Sequence, residues 1–514
     1  MTRKITIVGG GASGWITAGY LARMMSADRP GGIDLTVIES PDIGTIGVGE
    51  GTFPSILKTL SRIGLDETLL FKEAGATFKQ GIRFVDWARG NDTYYHLFHP
   101  AFMPEGLDLM PYWIMGELGQ VPWSSVASVQ SRVVDGMRGP KLARQGDYSG
   151  NLAYAYHFDA VAFAGVLARH VTGMGVKHLA DKVTAVHLDE SGAIDRLTTE
   201  RHGDQRADLY IDCTGFRAQL IGEALRIPFV SRRKALFADR AVALQQPYEN
   251  QDAPIPSCTI ATAEKAGWIW DIGLRHRRGI GYVYSSDHCS DEAAVDTLKA
   301  HIGIAARNAE PRQLRFEAGC RRLQWYKNCV AIGLSAGFVE PLEATGIGYA
   351  ESASVLLAAV FPWSGPLDGA ARQFNEKMSR RFDNLIDFIK VHYCITHRRD
   401  SDFWIDNCRP ETISDALRER LERWRYRMPD FVDIDYGNDT FIESNWRQVL
   451  YGMAFKTDLS ARRGAYRHFD AARSACREVE RQASRAAQLL PTHRDLVEAM
   501  CQRGMAPGLQ TSVS

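Results

Sequence analysis

The chain has 514 residues, 61 basic and 61 acidic side chains, 45% apolar and 24% charged residues. This is an ordinary globular composition with ample material for a core, and a net charge of zero argues against a protein built to grip nucleic acid or an anionic membrane. The 46 glycines and 20 prolines are near average usage, which excludes long collagen-like or disordered stretches.

In chain order, residues 4–8 (KITIV) predict a short buried parallel strand, and residues 15–25 a helix with Ile16, Tyr20 and Met24 on one face. Residues 33–39 predict a second strand, completing one right-handed βαβ unit. A glycine-rich run at 44–51 precedes a helix at 54–63. Residues 77–87 read as one strand, and residues 160–172 as a helix. A β-pair is expected at 181–188 and 195–200, then a buried strand at 208–213. Residues 236–300 read as mostly strand, with a hairpin near Arg275–Gly281. A buried strand at 329–334 leads into an apolar helix at about 346–360. After Gly365-Pro366 the chain turns Arg-rich and helical in period (367–398, 410–427, 466–503), and Met505–Ser514 looks frayed. The expectation is an α/β fold: a Rossmann-type core with an interleaved substrate sheet over 1–364, and a helical C-terminal subdomain over 365–514.

Nine cysteines, an odd number without a CxxC, disfavour a disulfide framework. The cluster His392-Tyr-Cys394-Ile-Thr-His397 lacks an obvious fourth ligand and reads as ordinary helix residues rather than a metal site. The apolar run near the N-terminus is too short for a signal peptide, and no run of ~18 apolar residues suits a membrane helix. A cytoplasmic chain is expected. The short basic patches Arg232-Arg233-Lys234 and Arg275, Arg277 and Arg278 read as solvated loops.

Gly9-x-Gly11-x-x-Gly14 lies between a strand and a helix, and Glu39 ends the next strand. In a dinucleotide fingerprint the first glycine permits the tight turn, the second lets backbone approach a pyrophosphate, and the third allows close helix–sheet packing. The helix N-terminus offers N–H groups to the phosphates, and the acid accepts from a ribose. No second glycine fingerprint follows, which favours a tightly held FAD over a separate NAD(P)H domain.

Five further segments sharpen this reading: Gly47-Val-Gly49-Glu-Gly-Thr-Phe-Pro54, Phe78-Lys79-Gln-Gly81, Asp212-Cys-Thr-Gly-Phe216, Gly267-Trp268-Ile-Trp270-Asp-Ile272 and Gly337-Phe-Val-Glu340-Pro-Leu-Glu343-Ala-Thr345-Gly346-Ile347. Together they resemble the flavin-dependent halogenases, best known from the tryptophan halogenases, from residue 4 to about 456. The resemblance implies FADH2, O2 and chloride or bromide as reactants, with reduced flavin supplied by a separate NAD(P)H-dependent reductase. In that family a flavin hydroperoxide is attacked by halide, and the hypohalous acid crosses a tunnel to a lysine beside a small electron-rich aromatic substrate.

The matching lysine is Lys79, which by strand alternation alone would be a solvated residue on a polar face. The matching glutamate is Glu343, while Glu340 reads as structural. Thr345 and Gly346 match the halide-binding pair, and Gly49, Leu334 and Ile347 join Gly9, Gly11, Ala12, Ser13, Gly14 and Glu39 as cofactor contacts. Trp268 and Trp270 match the WxWxIP signature, although Gly273 stands in place of its proline. His96 and His99 lie where the family stacks its substrate. Only His99-Pro100 keeps part of that pattern, with Phe102 one residue late. Trp446-Arg447 replace the tyrosine pair with which tryptophan-specific members hold the amino acid. The resemblance therefore implies an indole derivative rather than free tryptophan. The alternatives are an FAD-dependent aromatic hydroxylase or epoxidase, which would consume NADPH itself, and a non-catalytic flavin-binding regulator.

Overall fold

Two large sheets organise the chain in the computed structural model, which describes residues 3–42, 49–306 and 309–504. The tail Met505–Ser514 and residues 43–48, with part of the glycine-rich run, lie outside the described residues. The first sheet has six strands in the order Trp325–Tyr326, Cys329–Ala331, Leu209–Asp212, Lys4–Val8, Asp34–Glu39 and Lys177–Ala180. All its pairs are parallel except the one between Trp325–Tyr326 and Cys329–Ala331. Its central strands Lys4–Val8 and Leu209–Asp212 are short and nearly fully buried, as apolar runs such as KITIV require, while the edge strand Lys177–Ala180 is largely exposed. Helix Ala12–Met24 crosses from the first strand to the second and packs on helices Ala160–Thr172 and Thr345–Val360.

The second sheet has seven strands and is antiparallel except where Thr259–Glu264 meets Gly81–Val85. Its centre is the hairpin Gly267–Gly273 and Arg277–Tyr284, which turns at residues 274–276 as the sequence suggested. The β-pair Val183–Leu188 and Ile194–Thr199 also forms as expected. Residues 236–300 are not all strand, however. Asp291–Ile302 is a helix, capped by the Ser290 hydroxyl accepting from the Ala293 N–H.

The single strand read over 77–87 is corrected. Thr77–Lys79 pairs with Ala155–Phe158 in a small three-stranded sheet, whereas Gly81–Val85 joins the seven-stranded one. The chain changes sheets at Gln80, whose N–H donates to Ser257 O at 2.8 Å. Gly81 makes this possible: it adopts φ +149°, and a Cβ there would lie 2.4 Å from His96 O.

The C-terminal region is helical, with Asp368–Cys394, Asp415–Trp424, Phe469–Leu489 and His493–Gln502 within the expected segments. Helices Asp402–Asn407 and Glu443–Gly452 lie between them. Its apolar faces share one continuous core with the sheets, from Ile5 to Met500. The basic patches are not free surface. Arg232 pairs with Asp383, Arg233 with Asp287, Arg275 with Glu498, Arg277 with Asp159 and Arg278 with Asp271. Among the described residues no helix is long and apolar enough to cross a membrane.

Candidate active site

The three glycines of the fingerprint do different work. Gly9 adopts φ +114°, and a Cβ there would lie 2.2 Å from Cys213 O. A Cβ at Gly14 would lie 2.0 Å from Gly9 O, so only a hydrogen lets helix and strand meet. At Gly11 a Cβ would meet nothing within 4 Å, because this position opens onto a cavity. The helix starting there has no side-chain cap and no acid in its first turn, so its N–H groups and positive dipole end suit an anion.

The cavity measures about 580 Å³. Gly9, Gly11, Ala12, Ser13, Gly14, Glu39, Gly49, Leu334 and Ile347 all line it, together with Lys79, Gly346, Trp268, Trp270 and residues 213–216. Another wall comes from Asp181, Lys182, Ala241 and residues 314–316, which carried no motif and were not legible beforehand.

Lys79 is 1% exposed, not solvated, because the sheet switch at Gln80 turns it inward. Its Nζ lies 5.5 Å from the Phe98 ring centroid and has no hydrogen-bond partner among the described residues. Burial pushes its ammonium down to about 8, against the opposing attraction of Glu343 and Cys258.

Glu343 is 3% exposed and lies between two imidazoles. His96 Nδ1 is 3.0 and 2.9 Å from its two oxygens, and His392 Nε2 is 3.0 Å from Oε1. Burial favours the protonated acid, but the two imidazoles outweigh it and hold the carboxyl at about 2. Glu340 has a different setting. It accepts from Trp268 Nε1 at 3.2 Å and from the Tyr393 hydroxyl, and burial raises it to about 7. Thr345 and Gly346 open the helix Thr345–Val360; the Thr345 hydroxyl is buried without a partner, and a Cβ at Gly346 would meet nothing within 4 Å.

Three substrate candidates lie elsewhere. His99 is half-buried, with its N–H donating to Gln130 Oε1 and its Nδ1 accepting from the Ala153 N–H; burial lowers its pKa. Phe102 packs into a separate apolar cluster around Met110 and Tyr112. Trp446 is 2% exposed, edge-on to Phe388 and beside Trp424. None of the three lines the cavity. The helix Glu443–Gly452 turns Trp446 into the core and presents Asn445 instead, whose Nδ2 is 2.8 Å from His96 Nε2. His96, His392 and Asn445 were thus undervalued by the sequence reading. The alternation of Tyr94 and His96 as buried residues on their strand was an available signal; nothing in the sequence linked His392 to Glu343.

A family model described as tryptophan halogenase matches residues 4–466. The chain belongs to the tryptophan halogenase family. A tryptophan 6-halogenase from Streptomyces toxytricini is 37% identical over 454 residues, covering 84% of this chain and 85% of the relative. A 7-chloro-L-tryptophan 6-halogenase from Kutzneria sp. (strain 744) is 35% identical, over 96% and 99% of the two chains. The crystal structure of a tryptophan halogenase from Shewanella frigidimarina superposes with a TM-score of 0.92 at 38% identity, over 98% of each chain.

Membership makes this chain a flavin-dependent enzyme, and the cavity fits that family's cofactor. Its wall includes Gly11 and Gly346, where a Cβ would meet nothing within 4 Å, and the uncapped start of the helix Ala12–Met24. The tryptophan pair of the family signature is also in place. Trp270 reaches the cavity over Gly281, where a Cβ would lie 2.2 Å from its ring. Gly273 departs from the signature's proline at a crowded position: a Cβ there would meet Ile255, Tyr248 and Pro256 at 2.9–3.1 Å, so a proline would need these neighbours to move. Its carbonyl accepts from the Thr77 hydroxyl at 2.6 Å, two residues before Lys79.

Proposed function

We propose that this enzyme halogenates an electron-rich arene, an indole derivative rather than free tryptophan, with chloride or bromide and O2. Bound FADH2, delivered by a separate NAD(P)H-dependent reductase, would supply the electrons that activate oxygen for halide oxidation. Gly9, Gly11, Ala12, Ser13, Gly14, Glu39, Gly49, Leu334 and Ile347 would hold it. Thr345 and Gly346 would bind the halide, where an unpartnered buried hydroxyl and a helix start meet.

The observation that carries the reading is Lys79, a buried ammonium at the cavity wall with no acceptor of its own. An N–H of Lys79 Nζ donates to the oxygen of hypohalous acid, and the arene attacks the halogen. The O–X bond breaks and the oxygen leaves as water with the lysine's proton, which the ring proton later replaces. The Glu343 carboxylate accepts the ring proton when aromaticity returns. Trp268 and Trp270 form the partition between cavity and arene. Against free tryptophan stands the replaced tyrosine pair: Trp446 is core, and Arg447 is committed to Asp108 at 2.8 Å and to Pro429 O. The nine free cysteines suit a reducing cytoplasm.

The test is product mass from indole and from tryptophan, with FAD, a flavin reductase, NADH and bromide. Halogenated indole should dominate. Efficient halogenation of tryptophan at low concentration overturns the substrate preference. An oxygenated, halogen-free product would establish the monooxygenase alternative.

A further inference from the structure

The Glu343 site contains a tautomer problem that its hydrogen bonds solve. Asn445 Oδ1 accepts from the Ile442 N–H at 2.9 Å, so its Nδ2 must be the group facing His96 Nε2 at 2.8 Å. An amide N–H there requires a bare Nε2, and His96 therefore carries its hydrogen on Nδ1, pointing at the two Glu343 oxygens. His392 is constrained differently. Its Nδ1 lies 2.9 Å from Phe388 O, one turn earlier on the helix Asp368–Cys394. A carbonyl cannot donate, so this nitrogen carries a hydrogen. Its Nε2 faces Glu343 Oε1 at 3.0 Å, a contact that needs a second hydrogen between them.

Resting on the reading of Glu343 as the base, we propose that His392 is a positioning residue whose imidazolium keeps Glu343 ionised, the two sharing one exchangeable proton that resides on Nε2. The groups facing Glu343 agree on where that proton rests. His96, from the strand Thr93–Leu97, donates an N–H to the carboxylate, and Lys79, from Thr77–Lys79, adds a positive charge. Tyr94, from the same strand as His96, is pushed far up by burial and by Glu343, so it stays neutral. Donors and positive charge both favour the ionised acid. His392 is fully buried and its Nδ1–H is spent on a carbonyl, so it stores the proton and gives it no onward route.

His392→Gln separates this role from mere support, because it keeps an N–H donor near the Nε2 position but cannot carry the charge. In the variant the acidic limb of the halogenation pH profile should rise by at least one pH unit, while reoxidation of reduced flavin is unchanged. An unmoved limb with a uniformly lower kcat is what a purely structural donor would give, and it overturns the proposal. A second measurement does not depend on the variant folding. In flavin-free wild-type protein labelled with 15N-histidine, the His392 signal should show both ring nitrogens protonated at neutral pH; a bare Nε2 refutes the shared proton. Glu343→Gln tests the underlying reading separately. If that variant halogenates at the wild-type rate, Glu343 is not the base, whatever the protonation of His392.

Discussion

Lys79→Met should make the protein more stable and inactive in halogenation. The lysine's ordinary value of 10.5 falls to about 8 in the folded chain, chiefly through burial. At about 1.4 kcal/mol per tenfold change in proton affinity, carrying this ammonium into the fold costs roughly 3 kcal/mol at neutral pH. The sign follows from proton counts. Between pH 8 and 10.5 the unfolded chain holds the proton and the folded chain does not, so this group adds stability as pH rises through that window. Below about 8 both states hold it, and the full penalty is present. Denaturant unfolding of flavin-free wild type and Lys79→Met should therefore show a variant advantage of about 3 kcal/mol near pH 7 that shrinks towards zero near pH 10. Comparing the two proteins at each pH cancels the titration of other groups. A variant no more stable near pH 7, or a gap independent of pH, would show that the ammonium is not buried as described.

Gly11→Val should weaken flavin binding at least tenfold, read by flavin fluorescence titration, without shifting the unfolding midpoint. The side chain would project into the cavity that Gly11 lines, where a Cβ meets no protein atom within 4 Å. His493→Ala should cost about 1–3 kcal/mol, because His493 Nε2 accepts from the buried Phe78 N–H at 3.0 Å. As that N–H immediately precedes Lys79, kcat for halogenation should fall while flavin affinity stays level; an unchanged kcat with the expected stability loss would limit His493 to folding.

The cofactor half of the site was largely legible in the sequence because its signals are local. A glycine turn between a strand and a helix dictates its own backbone, so Gly9, Gly11, Gly14 and Glu39 could be placed by spacing and all reach one cavity. The motifs at 212–216 and 337–347 likewise end strands that face it. The substrate side was harder, because it is assembled from elements far apart in the chain. Alternation along 77–87 gave Lys79 a solvated face, but the chain changes sheets at Gln80, and that exchange depends on the Ser257 carbonyl and the path of His96. Trp446 drew attention as an aromatic at a substrate position, yet a helix turned one residue further presents Asn445.

By itself, then, the sequence determined the family and the dinucleotide turn and singled out Lys79 and Glu343 as candidates, through motifs that each span only a few residues. Only the tertiary structure decided their chemical state. It buried Lys79 beyond any acceptor and set Glu343 between His96 and His392, from a strand and a helix nearly 300 residues apart. Protonation follows from such long-range contacts, because desolvation and hydrogen bonding act through space and not along the chain.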